Sequence, residues 1–215
     1  PDLNLPDEEI VPVRRSDGSG TTFVFTDYLT TVSSDFDQVV GKAKSVPWPV
    51  GVGAAGNEGV AKTVLSTPYS IGYVELAYAF QTGMSYAFVQ NGDGTKFVEP
   101  TLDSISAASV GVANNLPSAE SDWSKVTLVN APGNDSYPIA SLTYLLVYED
   151  LEKATKSMEE AKTVIHMIHW MITEGQKHSP DLLYVPLSDK VVEVGKKGLS
   201  KIKYEGETLW DYSGV

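Results

Sequence analysis

The stretch Arg14-Arg15-Ser16-Asp17-Gly18-Ser19-Gly20-Thr21-Thr22 combines two guanidiniums, a carboxylate, two glycines and four hydroxyls. Such a set suits a small tetrahedral oxyanion. Arg15 offers a planar double donor, Ser19 and Thr21 add hydroxyls, and Gly18 and Gly20 let the backbone come close to a ligand. Asp17 would hold the guanidinium fork in one orientation. Serine, threonine and Gly-Ser-Gly are also the materials of an ordinary helix-capping turn. A capping turn, however, needs neither the arginine nor the acid.

Other chemistries fit the same residues less well. A nucleotide-phosphate loop needs lysine after its last glycine, and none follows Gly20. A nucleophile elbow needs glycine two residues before the serine, and Asp17 stands there relative to Ser19. A serine hydrolase also needs a histidine base, for which the candidates are His166, His169 and His178. The Gly51-Val52-Gly53-Ala54-Ala55-Gly56 run has dinucleotide-loop spacing, but Trp48-Pro49 precedes it where a strand is required. It reads as a flexible glycine loop, followed by Asn57 capping a helix that runs to about Leu65. His166 and His169 stand three apart on a helix without a supporting third ligand, which favours core-edge or solvent-facing histidines over a metal site.

The oxyanion residues need a scaffold. Ile10-Val11-Pro12-Val13 reads as a strand, and helix-spaced apolar residues follow the motif, with Val24, Tyr28 and Val32 on one face and Phe25 and Leu29 beside it. The glycines and hydroxyls therefore sit where a strand ends and a helix begins. There the first N–H groups of the helix lack intrahelical partners, and the helix dipole adds partial positive charge. Further on, residues 35–40 read as a short helix, residues 70–75 as a strand, and residues 76–80 as a helix closed by Gly83. Asn91-Gly92-Asp93-Gly94 signals a hairpin, and residue 101 opens a helix rich in alanine and serine. Residues 139–148 read as a buried strand, residues 153–173 as a helix ended by Gly175, and Ser188-Asp189-Lys190 as the start of the last helix. The tail with Trp210 and Tyr212 reads as cover for an apolar patch.

With 215 residues, 42% hydrophobic and 20% charged, the chain is a globular protein of one domain or two small lobes. The absence of cysteine excludes disulfides and thiolate metal sites. A net charge of -12 argues against nucleic acid as a partner. It does not argue against an anionic ligand, because exposed charges are screened beyond ~8 Å at physiological salt and local donors act inside that distance.

Taken in order, several blocks resemble the substrate-binding proteins of bacterial and archaeal high-affinity phosphate ABC transporters. They are residues 14–26, Gly56-Asn57-Glu58-Gly59-Val60-Ala61, Ser70-Ile71-Gly72-Tyr73-Val74-Glu75, Tyr137-Pro138-Ile139, Gly175-Gln176 and Leu183-Tyr184-Val185-Pro186-Leu187. The resemblance implies an α/β, two-lobe periplasmic-binding-protein-like (type II) fold that closes on one dehydrated phosphate. Residues 1–138 would form the second lobe with the phosphate-binding strand-turn-helix, and residues 139–215 the C-terminal part of the first lobe after the hinge crossing.

By the same resemblance Arg15, Ser19, Gly20 (through its N–H) and Thr21 would contact inorganic phosphate, while Asp17 would orient Arg15. No cofactor and no catalytic residue is implied. The implied partner is an ABC transporter permease, and the implied location is periplasmic or extracellular. Members of that family are longer, and their N-terminal portion supplies the facing wall of the cleft. The present residues therefore read as the remainder of such a protein, incomplete at the N-terminus. Three readings stand: a fragment, a chain completed by a second polypeptide, or a protein that now serves an interaction or structural role.

Overall fold

The computed structural model describes residues 5–113 and 115–210, so Tyr212 of the expected tail lies outside the described residues. The chain divides into two compact units, residues 1–90 and residues 91–215.

The first unit is an α/β layer. Strands β1 (Val11–Arg15), β2 (Val52–Ala54) and β3 (Ser70–Gly72) form a parallel sheet with β1 in the centre. Val13 pairs with both Val52 and Gly72, and Arg15 pairs with Ala54. The helices are α1 (Gly20–Val32), α2 (Ser34–Val39), α3 (Gly56–Ser66) and α4 (Leu76–Thr82), the last closed by Gly83 in the left-handed conformation. Parallel neighbours need crossover connections, and α1, α2 and α3 lie in them. Helix α3 packs on the sheet through Val60 and Val64, which close on the bare Cα of Gly72. Buried Val13, Val60 and Ala61 form the interior there.

Two expectations are corrected in this unit. The glycine run is not a loop: Val52-Gly53-Ala54 is strand β2, because β1 offers it a ladder partner that short propensity patterns do not reveal. The buried stripe of α1 is not the apolar one, since Thr22 and Thr26 are buried whereas Val32 is 51% exposed. Thr26 is satisfied there by donating its hydroxyl hydrogen to carbonyls of Thr22, Phe23 and Ala43, at 2.9–3.3 Å.

Strand β4 (Val89–Gln90) ends the first unit, and the second holds the short strands β5 (Phe97–Val98), β6 (Lys203–Tyr204) and β7 (Glu207–Thr208), with helices α5 (Leu102–Ala113), α6 (Met158–Ile172) and α7 (Asp189–Leu199). The Asn91 turn forms as expected: its Oδ1 accepts from the Thr95 N–H at 2.9 Å, and its own N–H donates to the Lys96 carbonyl at 3.0 Å. One core joins Leu151, Ala161, Ile165, Leu199, Ile202 and Tyr204, with Trp210 packed against it; another joins Ala108, Leu128, Ala131 and Ala140. The rings of His166 and His169 lie 5.5 and 4.5 Å from that of Trp210.

Helix α6 starts at Met158, later than the sequence suggests, because Ser157 caps it by accepting from the Glu160 N–H at 3.2 Å. It ends at Ile172 with Thr173 as cap, so Gly175 is not its terminator. Gly175 is required for a different reason: a side chain there would meet the Trp170 carbonyl oxygen at 2.9 Å. The strand expected over residues 139–148 is absent. Tyr144, Leu145, Leu146 and Tyr148 are exposed, Leu146 by 96%. The composition has strand propensity, but a strand needs a neighbour, and none pairs with it among the described residues.

Candidate functional site

The site lies where β1 delivers the chain to α1. Ser19 is the N-cap, with extended φ and ψ of -139° and 133°, and its Oγ accepts from the Thr22 N–H at 3.2 Å. Its own N–H donates to the Lys44 carbonyl at 2.9 Å. Ser19 is thus 3% exposed and held from both sides, with its hydroxyl hydrogen still to be donated. Among the described residues, the amides of Gly20 and Thr21 have no hydrogen-bond partner. They are the orphan donors that open a helix. No acidic side chain occupies the first turn of α1 or of α4, whereas α2, α3, α5, α6 and α7 each carry at least one there. In a chain of net charge -12, the positive end of this helix dipole is left without a carboxylate of its own.

Beside these donors stands the expected cation. Arg15 Nε donates to Asp17 Oδ1 at 2.8 Å and Nη2 to Oδ2 at 2.6 Å, a parallel fork. The arginine side chain is 10% exposed and the carboxylate 43%. Gly56, with φ of +68°, donates its N–H to Asp17 Oδ1 at 3.1 Å. The Arg15 bonds first, and the Gly56 N–H second, hold the Asp17 carboxyl well below the ordinary carboxylate range. The acid in turn raises the arginine, which stays a cation throughout. Gly18 and Gly20 face open space: a methyl on either would meet no heavy atom within 4 Å.

Arg15, Asp17, Ser19, Gly20 and Thr21 are therefore brought together on one strand-turn-helix. The sequence reading missed Asn57 and Tyr73. Asn57 does not cap α3; Ala55 is the N-cap residue, and no side chain caps that end. Instead Asn57 Oδ1 accepts from Arg15 Nη1 at 3.5 Å and from the Glu75 N–H at 3.3 Å. Tyr73 Oη accepts from the Arg15 N–H at 3.2 Å and lies 2.7 Å from Thr22 Oγ1. The signal for Tyr73 was its position one residue past a strand that pairs with β1.

The family described as "PBP superfamily domain" matches residues 1–172. Similarity extends to proteins called phosphate-binding protein PstS. That of Pasteurella multocida (strain Pm70) is 39% identical over 214 residues, which covers 96% of this chain and 58% of the relative. That of Xylella fastidiosa (strain Temecula1) is 42% identical over 198 residues, 90% of this chain and 50% of the relative. The archaeal protein of Methanocaldococcus jannaschii is 39% identical over 209 residues, 93% and 53% respectively. The chain thus spans about half the length of the curated relatives it matches, 50–58% for these three. No helix among the described residues is long and apolar enough to cross a membrane.

Proposed function

Because the chain belongs to the PBP superfamily, we propose that it forms part of a solute-binding protein that captures inorganic phosphate for an ABC importer. Arg15, Ser19, Gly20 and Thr21 bind the anion, and Asp17 keeps the Arg15 fork in place. The observation that carries this reading is the pair of amides on Gly20 and Thr21, without partners among the described residues, beside a guanidinium already gripped by its own acid. The names of the similar proteins point to the same ligand.

The mechanism is binding without bond-making. Water leaves, and the oxyanion accepts from neutral dipoles and one paired cation, donors that need no rearrangement as it arrives. The Asp17 carboxylate limits the freedom of Arg15 but leaves it a cation. The facing wall of the cleft belongs to the remainder of a longer protein, and residues 1–138 and 139–215 belong to its two lobes. The protein works outside the cytoplasmic membrane and hands phosphate to a permease, and no cofactor takes part.

Phosphate titration by calorimetry tests this, using the chain with and without the N-terminal portion of a PstS relative. Arg15→Ala removes a charged donor to a desolvated anion and is expected to weaken binding by about 2–5 kcal/mol. Unchanged affinity in Arg15→Ala would remove this loop from the phosphate site.

A further inference from the structure

We infer that Tyr73 is the positioning residue of the anion loop, an assignment of function that rests on the phosphate reading above. Its hydroxyl oxygen touches both ends of the loop, the Arg15 N–H at 3.2 Å and Thr22 Oγ1 at 2.7 Å. Residues 16–21 lie between those two contacts. One oxygen atom thus fastens the last residue of β1 to the first turn of α1.

Each contact continues to a ligand-binding group. Arg15 carries the cation, so its backbone and its guanidinium are fixed by different partners, Tyr73 and Asp17. Thr22 donates its N–H to Ser19 Oγ at 3.2 Å, so the direction left for the Ser19 proton depends on where Thr22 stands. Thr22 itself is 1% exposed, and its hydroxyl needs a partner in that interior.

The phenol is held in its turn. Its ring stacks on Phe25 of α1 with centroids 4.5 Å apart and planes 19° from parallel, and Trp48 lies 6.0 Å away. The parallel pairing of Val13 with Gly72 sets Tyr73 beside the end of β1. The oxygen is therefore carried by sheet register and ring packing, neither of which uses residues 16–19. A loop ordered in advance binds its ligand without the entropy loss of ordering at the moment of binding.

The test uses Tyr73→Phe, which keeps the stacked ring and removes only the oxygen. In the ligand-free protein, amide resonances of Arg15, Gly20 and Thr21 in an ¹⁵N–¹H spectrum are expected to move, with little change in melting temperature. Phosphate affinity is expected to fall about three- to tenfold, the net worth of one hydrogen bond. Thr22→Val should reproduce the loss and Thr22→Ser should not, and Tyr73→Phe combined with Thr22→Val should be no worse than either alone. Unmoved loop amides, unchanged affinity in Tyr73→Phe, or additive losses in the double variant would each overturn the assignment. If Tyr73→Phe fails to fold, the Thr22→Val and Thr22→Ser pair carries the same decision. Moved amides in a protein whose wild type binds no phosphate even with the N-terminal portion of a PstS relative present would refute the phosphate reading and leave the positioning role standing.

Discussion

Arg15 and Asp17 face each other as a two-bonded fork, Nε to Oδ1 and Nη2 to Oδ2. They are two residues apart on the chain, and the bend between them returns the acid to the arginine of the strand it has just left. A lone exposed ion pair contributes little to stability. Its worth here is directional, because the fork fixes the plane of the cation.

The first prediction concerns acid. Arg15, and then the Gly56 amide, depress the Asp17 carboxyl below its unfolded value of about 3.9. Its stabilising contribution is therefore complete above that pH and lost as the pH falls through the folded value. Asp17→Asn should lower the urea midpoint at neutral pH, and its gap from wild type should narrow steadily below about pH 4. A gap of constant size down to strong acid would show that the fork is not what the variant lost.

Gly20 supplies the second. It is helical, and no heavy atom lies within 4 Å of a methyl placed there. Gly20→Ala should leave stability unchanged or raise it by about 0.4–1 kcal/mol through the unfolded chain. Phosphate affinity should drop, because the methyl enters the space on the open side of the loop. Calorimetry that finds full affinity in Gly20→Ala would place the anion elsewhere.

The third concerns the floor beneath Tyr73. A methyl on Gly72 would meet Val64 Cγ2 at 2.9 Å, Val60 Cγ1 at 3.1 Å and the Val13 carbonyl oxygen at 3.2 Å. Relief requires α3 to move off the sheet. Gly72→Ala should destabilise by about 1–3 kcal/mol in urea denaturation. A neutral result would mean that the helix yields easily at that contact.

The fourth concerns residues 144–148. Leu146 is 96% exposed, so Leu146→Lys should change folding stability by less than about 0.5 kcal/mol. An exposed apolar segment invites association, and the charge should reduce it, as light scattering at rising concentration would register. Self-association that is equal in both proteins would clear this segment as its cause.

The local chemistry was legible in the sequence because it is local. Arg15, Asp17, Ser19, Gly20 and Thr21 are contiguous, and a strand-to-helix junction needs only neighbouring residues to be recognised. Asn57 and Tyr73 were not legible, since each reaches Arg15 across the parallel sheet, 42 and 58 residues away. Strand β2 was hidden for the same reason: three residues containing a glycine become a strand only when β1 lies alongside. Residues 139–148 show the opposite, an apolar run that promises burial and is exposed from Tyr144 to Tyr148. Composition states a preference for a partner, and only the fold states whether one is there.

Ser19 accepts at its oxygen from Thr22, and its amide is already engaged with Lys44, so the donor it still has to offer is its hydroxyl hydrogen. The free amides of Gly20 and Thr21 have the same single sign of offering. The hydrogens offered on this side suit a guest's bare oxygens and give nothing to the hydrogen of a protonated one. On the phosphate reading, telling one tetrahedral anion from another of the same size draws on whatever meets the guest's opposite face.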